Sequence, residues 1–193
     1  MPGIPKARIA QRLVEAVSSS RWIQFERGEF SRKPIGLPYL LRVALGRGEQ
    51  REFALYFWSV SHGGRSRSDD EYRIQLKLED DFALRFDSDT TILLGYYDAA
   101  LDRVGSSLGN EPPNGMEVIV AWDPMKHMFL GRSSSCQVRF RSMLAAHRRG
   151  VAMTERACDD GSAEQVYCFR PEFLGRYLYC ARAGHRLIRE AIL

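Results

Sequence analysis

Seven short runs constrain this chain of 193 residues more than any other feature. They are LPYLLRVALG (37–46), REFALYFWSV (51–60), EYRIQLKL (71–78), TTILLGYYDAAL (90–101), MEVIVAW (116–122), SCQVRF (135–140) and EQVYCFRP (164–171). Each is rich in β-branched, aromatic or alternating residues and is bounded by Gly, Ser, Asp or Pro. In the third, Tyr72, Ile74, Leu76 and Leu78 alternate with Arg73, Gln75 and Lys77, the period of a strand with one buried and one wet face. Seven strands at short spacing, without regularly intervening helices, predict an antiparallel barrel or sandwich rather than a parallel α/β sheet.

Helices are expected only at the flanks. Ile9, Leu13, Val14 and Val17 share one side of a segment from Pro5 to Val17 that Ser18–Ser20 ends. Pro171 suits the first turn of a C-terminal helix, where Phe173, Leu174, Tyr177 and Leu178 recur at helical spacing. Arg21 to Gly36 shows no period, and RVGSSLGNEPPNG (103–115) reads as a long hairpin connection. A single domain results: an extension over 1–36, a mainly β core over 37–170 and a helical end over 171–193.

No apolar run approaches the ~20 residues that span a bilayer, and the first residues lack the apolar stretch of a secretion signal; a cytoplasmic compartment is expected. Cys136, Cys158, Cys168 and Cys180 form no CxxC pair, so free thiols are expected rather than a zinc site. Net charge is only +4, yet apart from Lys6, Lys33, Lys77 and Lys126 the 28 basic residues are all arginine. Arginine presents a planar fork that matches phosphate oxygens and the guanine edge, although a coding bias explains the count equally well. Composition permits a nucleic-acid partner without showing one.

No enzyme signature emerges. GRSSSCQ has no nucleophile elbow, the four histidines lack metal-ligand spacing, and neither catalytic residues nor a metal nor a cofactor is expected. One alternative is a compact Mg²⁺-dependent nuclease using Asp69, Asp70, Gln75 and Lys77, because Gln75-Leu76-Lys77 spells the acid-or-Gln, x, Lys triplet of such sites. The strand alternation accounts for Gln75 and Lys77 without any catalysis.

Three loops carry the chemistry of DNA recognition instead. GRGEQRE holds Arg47 and Arg51 beside Glu49 and Gln50. HGGRSRSDDE offers Arg65, Ser66, Arg67 and Ser68 as donors, with Asp69 and Asp70 as acceptors for cytosine amino groups. AWDPMKHMFLGRSSS holds Asp123, Lys126, His127, Arg132, Ser133, Ser134 and Ser135. Acids interleaved with arginine weaken a mere grip on phosphate but suit the reading of base edges. An Asp–Arg pair that stiffens the turn is the plainer account of the second loop, and both can hold at once.

The order GGRSRSDDEYRIQ, TILLGYYDAALD, VIVAWDPMKH, SSSCQV and QVYCFRPEFLGRYL resembles the B3-like DNA-recognition (effector) domain of bacterial restriction endonucleases of the EcoRII type, over about Arg51 to Tyr179. The resemblance implies an open seven-stranded pseudobarrel with short helices, which grips double-stranded DNA with two arm-like loops in the major groove. It further implies a recognition domain or subunit of a type II-like restriction endonuclease, working with a nuclease domain or subunit outside these residues.

Overall fold

The computed structural model describes residues 4–31, 37–46, 48–62, 67–77, 90–102, 111–127, 133–158 and 161–181. The expected N-terminal helix is present as α1 (Lys6–Ser18), with Ile9, Ala10, Leu13, Ala16 and Val17 buried on one face. All seven expected strands form, and three more join them. In chain order the strands are β1 (Gln24–Phe30), β2 (Tyr39–Gly46), β3 (Glu49–Ser59), β4 (Ser61–His62), β5 (Glu71–Lys77), β6 (Thr91–Asp98), β7 (Glu117–Trp122), β8 (Ser133–Arg139), β9 (Val151–Ala157) and β10 (Ala163–Phe169). An unexpected helix, α2 (Phe140–Arg149), follows β8 directly. After a 3₁₀ turn at Pro171–Phe173 comes α3 (Leu174–Ala181).

The strands do not close into a barrel. One sheet has seven strands in the order β1-β2-β3-β6-β7-β10-β9, and a second has three in the order β4-β5-β8. A mainly β fold with an open seven-stranded sheet is present, but its membership differs from the seven expected strands: β5 and β8 lie outside the large sheet, and β1 and β9 take its edges. Nor is the sheet wholly antiparallel, since β3 and β6 run parallel, from Ala54 opposite Thr91 to Ser59 opposite Tyr96. A parallel pair needs a long crossover, and here the chain leaves β3, builds β4 and β5 of the small sheet, and only then returns as β6.

The small sheet packs its inner face on the large one. Tyr72, Ile74 and Leu76 of β5 and Cys136 and Val138 of β8 are buried on the side of the large sheet that carries Tyr56, Leu93, Tyr97, Val118, Val120 and Trp122. Tyr72 stacks on Phe140 of α2 at 5.4 Å between ring centroids and meets Tyr97 of β6 edge-on at 5.6 Å. The Tyr72 and Tyr97 hydroxyls both donate to Asp102, at 2.6 and 2.9 Å, so these buried phenols have a partner. Trp122 Nε1 donates to the Gln137 carbonyl at 3.0 Å, tying the backbone of β8 to β7. Gly95 makes this approach possible: a Cβ there would lie 2.5 Å from Val60 Cγ2 and 2.8 Å from Trp122 Cη2.

Candidate nucleic-acid interface

β5 and β8 pair antiparallel in an unbroken register: Glu71 with Arg139, Arg73 with Gln137, Gln75 with Ser135 and Lys77 with Ser133. Directly opposed residues share a face. Because Tyr72, Ile74, Leu76, Cys136 and Val138 take the inner face, Glu71, Arg73, Gln75, Ser135, Gln137 and Arg139 line the outer one. Ser61 of β4 stands opposite Arg73 and extends that face by one strand. Along β5 it measures roughly 20 Å, six steps of ~3.4 Å.

Charges elsewhere on the sheets are largely committed to one another. Arg27 pairs with Glu29 at 2.7 Å, Arg42 with Glu52 at 3.0 Å and Arg51 with Glu49 at 3.4 Å, while Gln50 donates to Glu26 at 2.9 Å. On the outer face of the small sheet, the side chains of Arg73, Gln75, Gln137 and Arg139 have no hydrogen bond or ion pair among the described residues. Two guanidinium forks and two carboxamides therefore stand next to one another, and no described residue occupies their hydrogen-bonding groups.

The candidate loops distribute around this face unequally. Arg67 to Asp70 lead into β5 at one end, where β8 runs into α2. His62 Nε2–H donates to the Ser68 carbonyl at 3.2 Å, and Glu71 N–H donates to the same oxygen at 2.8 Å, fixing the turn. Arg67 lies 3.4 Å from Glu71, and Ser68 and Asp69 are exposed. Ser133 to Ser135 open β8 at the opposite end. The second and third loops thus flank one sheet from its two ends. The first does not join them: Arg51 sits near the start of β3, while β4 follows the far end of that strand, ~30 Å away at ~3.4 Å per residue. Arg47, Arg65, Ser66 and Arg132 lie outside the described residues.

Several candidate side chains serve the fold itself. Asp70 Oδ1 accepts from the Arg141 N–H at 3.0 Å, and the Asp70 carbonyl accepts from the Phe140 N–H at 2.9 Å. The carboxylate therefore caps the first turn of α2, whose preceding residue, Arg139, makes no side-chain cap. Asp123 is buried and caps the 3₁₀ turn Pro124–Lys126 by accepting from Met125 N–H at 3.0 Å. Lys126 Nζ donates to Ser162 Oγ at 2.5 Å. His127 is 3% exposed and directs Nε2 at Glu164 Oε1, 2.7 Å away, and Nδ1 at Cys136 Sγ, 3.4 Å away. Arg156 completes the chain 3.3 Å from Glu164 Oε2.

Cys136, His127 and Glu164 have the connectivity of a nucleophile, a base and an orienting acid. Their environment opposes that use. Burial, reinforced by the negative charge of Glu164, pushes the Cys136 thiol well above its usual range, whereas a nucleophilic cysteine needs its thiolate favoured. With Nε2–H donating to the carboxylate, Nδ1 accepts from the S–H group. The network joins the turn at 123–127 to β8, β9 and β10, and its Cys136 lies between the outward-facing Ser135 and Gln137.

The geometry does not favour the nuclease alternative. Asp70 and Lys77 stand at opposite ends of β5, seven residues and therefore ~23 Å apart, and Asp70 is engaged at a helix terminus. Side chains so separated do not converge on one Mg²⁺. Among the described residues no group of three or more His, Cys, Asp or Glu forms a metal site, and none of their helices is long and apolar enough to cross a membrane.

Arg73, Gln137 and Arg139 were absent from the sequence-based site. The signal was the alternation itself, whose polar members form the outer face. Together these features define a mainly β domain of two layered sheets whose smaller sheet presents an Arg/Gln outer face that no other described residue occupies. The chain belongs to the methylase-associated X1 family, whose model matches residues 51–178, nearly the span of the B3-like resemblance. Membership associates it with methylases and hence with restriction–modification systems. No curated protein and no solved structure matches the chain.

Proposed function

We propose that this chain is the sequence-specific DNA-binding component of a restriction–modification system. It places the outer face of the β4-β5-β8 sheet in the major groove of duplex DNA, and a methylase or nuclease component performs the chemistry. The observation that carries this reading is the set Arg73, Gln75, Gln137 and Arg139, side by side and without a side-chain partner among the described residues. Strands do enter major grooves; there arginine matches guanine O6 and N7, and glutamine matches adenine N6 and N7. A face of roughly 20 Å spans about six base pairs at ~3.4 Å each. Arg67, Ser68 and Asp69 at one end, and Ser133 to Ser135 at the other, flank it as the two arms of a B3-like domain flank DNA. The loop residues Arg65, Ser66 and Arg132 supply further phosphate donors in this reading. Arg47, Arg51, Asp123, Lys126 and His127 do not contact bases in it.

Selection of bound duplexes from a randomised pool at ~0.15 M salt, a physiological ionic strength, tests the proposal. Enrichment of one short sequence is expected, and Arg73→Ala should weaken binding to it by about 1–3 kcal/mol while relaxing the preference at one position. A uniform loss on all sequences with a shallower salt slope would make Arg73 a phosphate contact. Failure to retain any duplex would refute the reading.

A further inference from the structure

We infer that the carboxamides of Gln75 and Gln137 make this face sensitive to methylation of adenine at N6. This inference rests on the DNA-binding reading above. Gln75 is exposed at the middle of β5 and Gln137 is half-buried on the neighbouring strand, one step along the register and beside Arg73. Neither side chain is occupied by another described residue.

The chemistry follows from how a carboxamide meets adenine in the major groove. Its NH₂ donates to N7 and its oxygen accepts a hydrogen from the N6 amino group. The N6 amino group carries two hydrogens. In a Watson–Crick pair one is given to thymine O4, so the hydrogen that glutamine uses is the other, on the N7 side. A single methyl group at N6 that leaves pairing intact must replace that second hydrogen. It removes the donor, strands the glutamine oxygen against a methyl group and crowds the approach to N7. Arginine reading guanine, by contrast, uses O6 and N7, which N6 methylation of a neighbouring adenine leaves unaltered.

The backbone beneath these residues is held firmly enough for the difference to be felt. Trp122 Nε1 fixes the Gln137 carbonyl at 3.0 Å, and the buried Cys136 next to it is held by His127 at 3.4 Å. β8 therefore has little freedom to retreat from a methyl group as a loop would. Association with a methylase gives such discrimination a purpose: a recognition component that senses whether its site has been modified.

The test uses the duplex enriched from the randomised pool, resynthesised with each adenine replaced in turn by N6-methyladenine, and compares equilibrium binding by the wild-type chain, Gln75→Ala and Gln137→Ala. At one adenine, methylation should weaken wild-type binding at least about fivefold, the lower end for one bidentate base contact. One of the two variants should bind the methylated and unmethylated duplexes within about twofold of each other. Both variants lie on a solvent-facing surface and should melt with the wild type, which circular dichroism checks. Tight binding that ignores methylation at every adenine would overturn this inference and leave the DNA-binding reading standing, as would an enriched site without adenine. Discrimination that persists in both variants would assign it to other residues. Binding to no duplex would overturn both readings.

Discussion

Asp70 is the residue at which three accounts of this chain part company: base reading, metal binding and helix capping. The structure favours the last. Asp70→Ala removes an acceptor 3.0 Å from the Arg141 N–H in the first turn of α2 and leaves the backbone bond to Phe140 in place. An N-cap side chain contributes ~1 kcal/mol, within a range of about 0.5–2, and a carboxylate at a helix N-terminus adds about 0.3–1 kcal/mol through the macrodipole. The ion pair with Arg141, 3.6 Å away and 79% exposed on the arginine side, adds little beyond that. A loss of about 1–2 kcal/mol is expected, with a fall in melting temperature of roughly 2–8 °C for a chain of this length. Asp70→Asn keeps an acceptor and loses the charge, so it should sacrifice less than half as much. Thermal melts and urea midpoints at an unchanged m-value measure both. The sequence enriched from a randomised pool should stay the same for both variants. Melting of Asp70→Ala with the wild type would refute the capping argument; loss of preference at a cytosine without loss of stability would return the carboxylate to base reading.

Two further outcomes are expected. Glu164→Ala deprives the buried His127 Nε2 and Arg156 of their shared acceptor; breaking a buried charged pair costs about 3–5 kcal/mol. The lower end applies because Arg156 keeps some access to water, so the urea midpoint should fall accordingly, and an unchanged midpoint would mean that the network does not hold the 123–127 turn. Cys136 and Cys168 are buried and burial pushes both thiols up, whereas Cys158 and Cys180 are partly exposed. Ellman's reagent at pH 8 should therefore label Cys158 and Cys180 first in the native protein and all four after denaturation; early labelling of Cys136, read by peptide mass, would contradict the closed core.

The strands that were legible in the sequence are those with a buried face. In β5 the contrast between Tyr72, Ile74 and Leu76 and their polar neighbours is written in the chain because one side meets hydrocarbon and the other water. β1, QFERGEF, escaped notice because an edge strand has a single partner and little burial, so its residues carry no strong period. β9 lies on the other edge and shares that reason. α2 was missed differently: Phe140, Met143 and Ala146 do recur at helical spacing, but no Gly or Pro separates them from β8, and the cap arrives from Asp70, far away in the chain.

The site was half legible for the same reason. Residue type and local period determined, from sequence alone, that Arg73 and Gln75 share a wet face and that the loop before them is polar. Composition could not tell that Asp123 and His127 point inward, because a buried polar network looks like a surface loop until its partners are known. Tertiary structure alone decided that β5 leaves the large sheet to pair with β8, in a register that sets Arg73 beside Gln137 and Gln75 beside Ser135. Side-chain alternation is enforced within one strand by backbone geometry, whereas the pairing of strands distant in sequence is settled by how the whole chain buries its apolar faces.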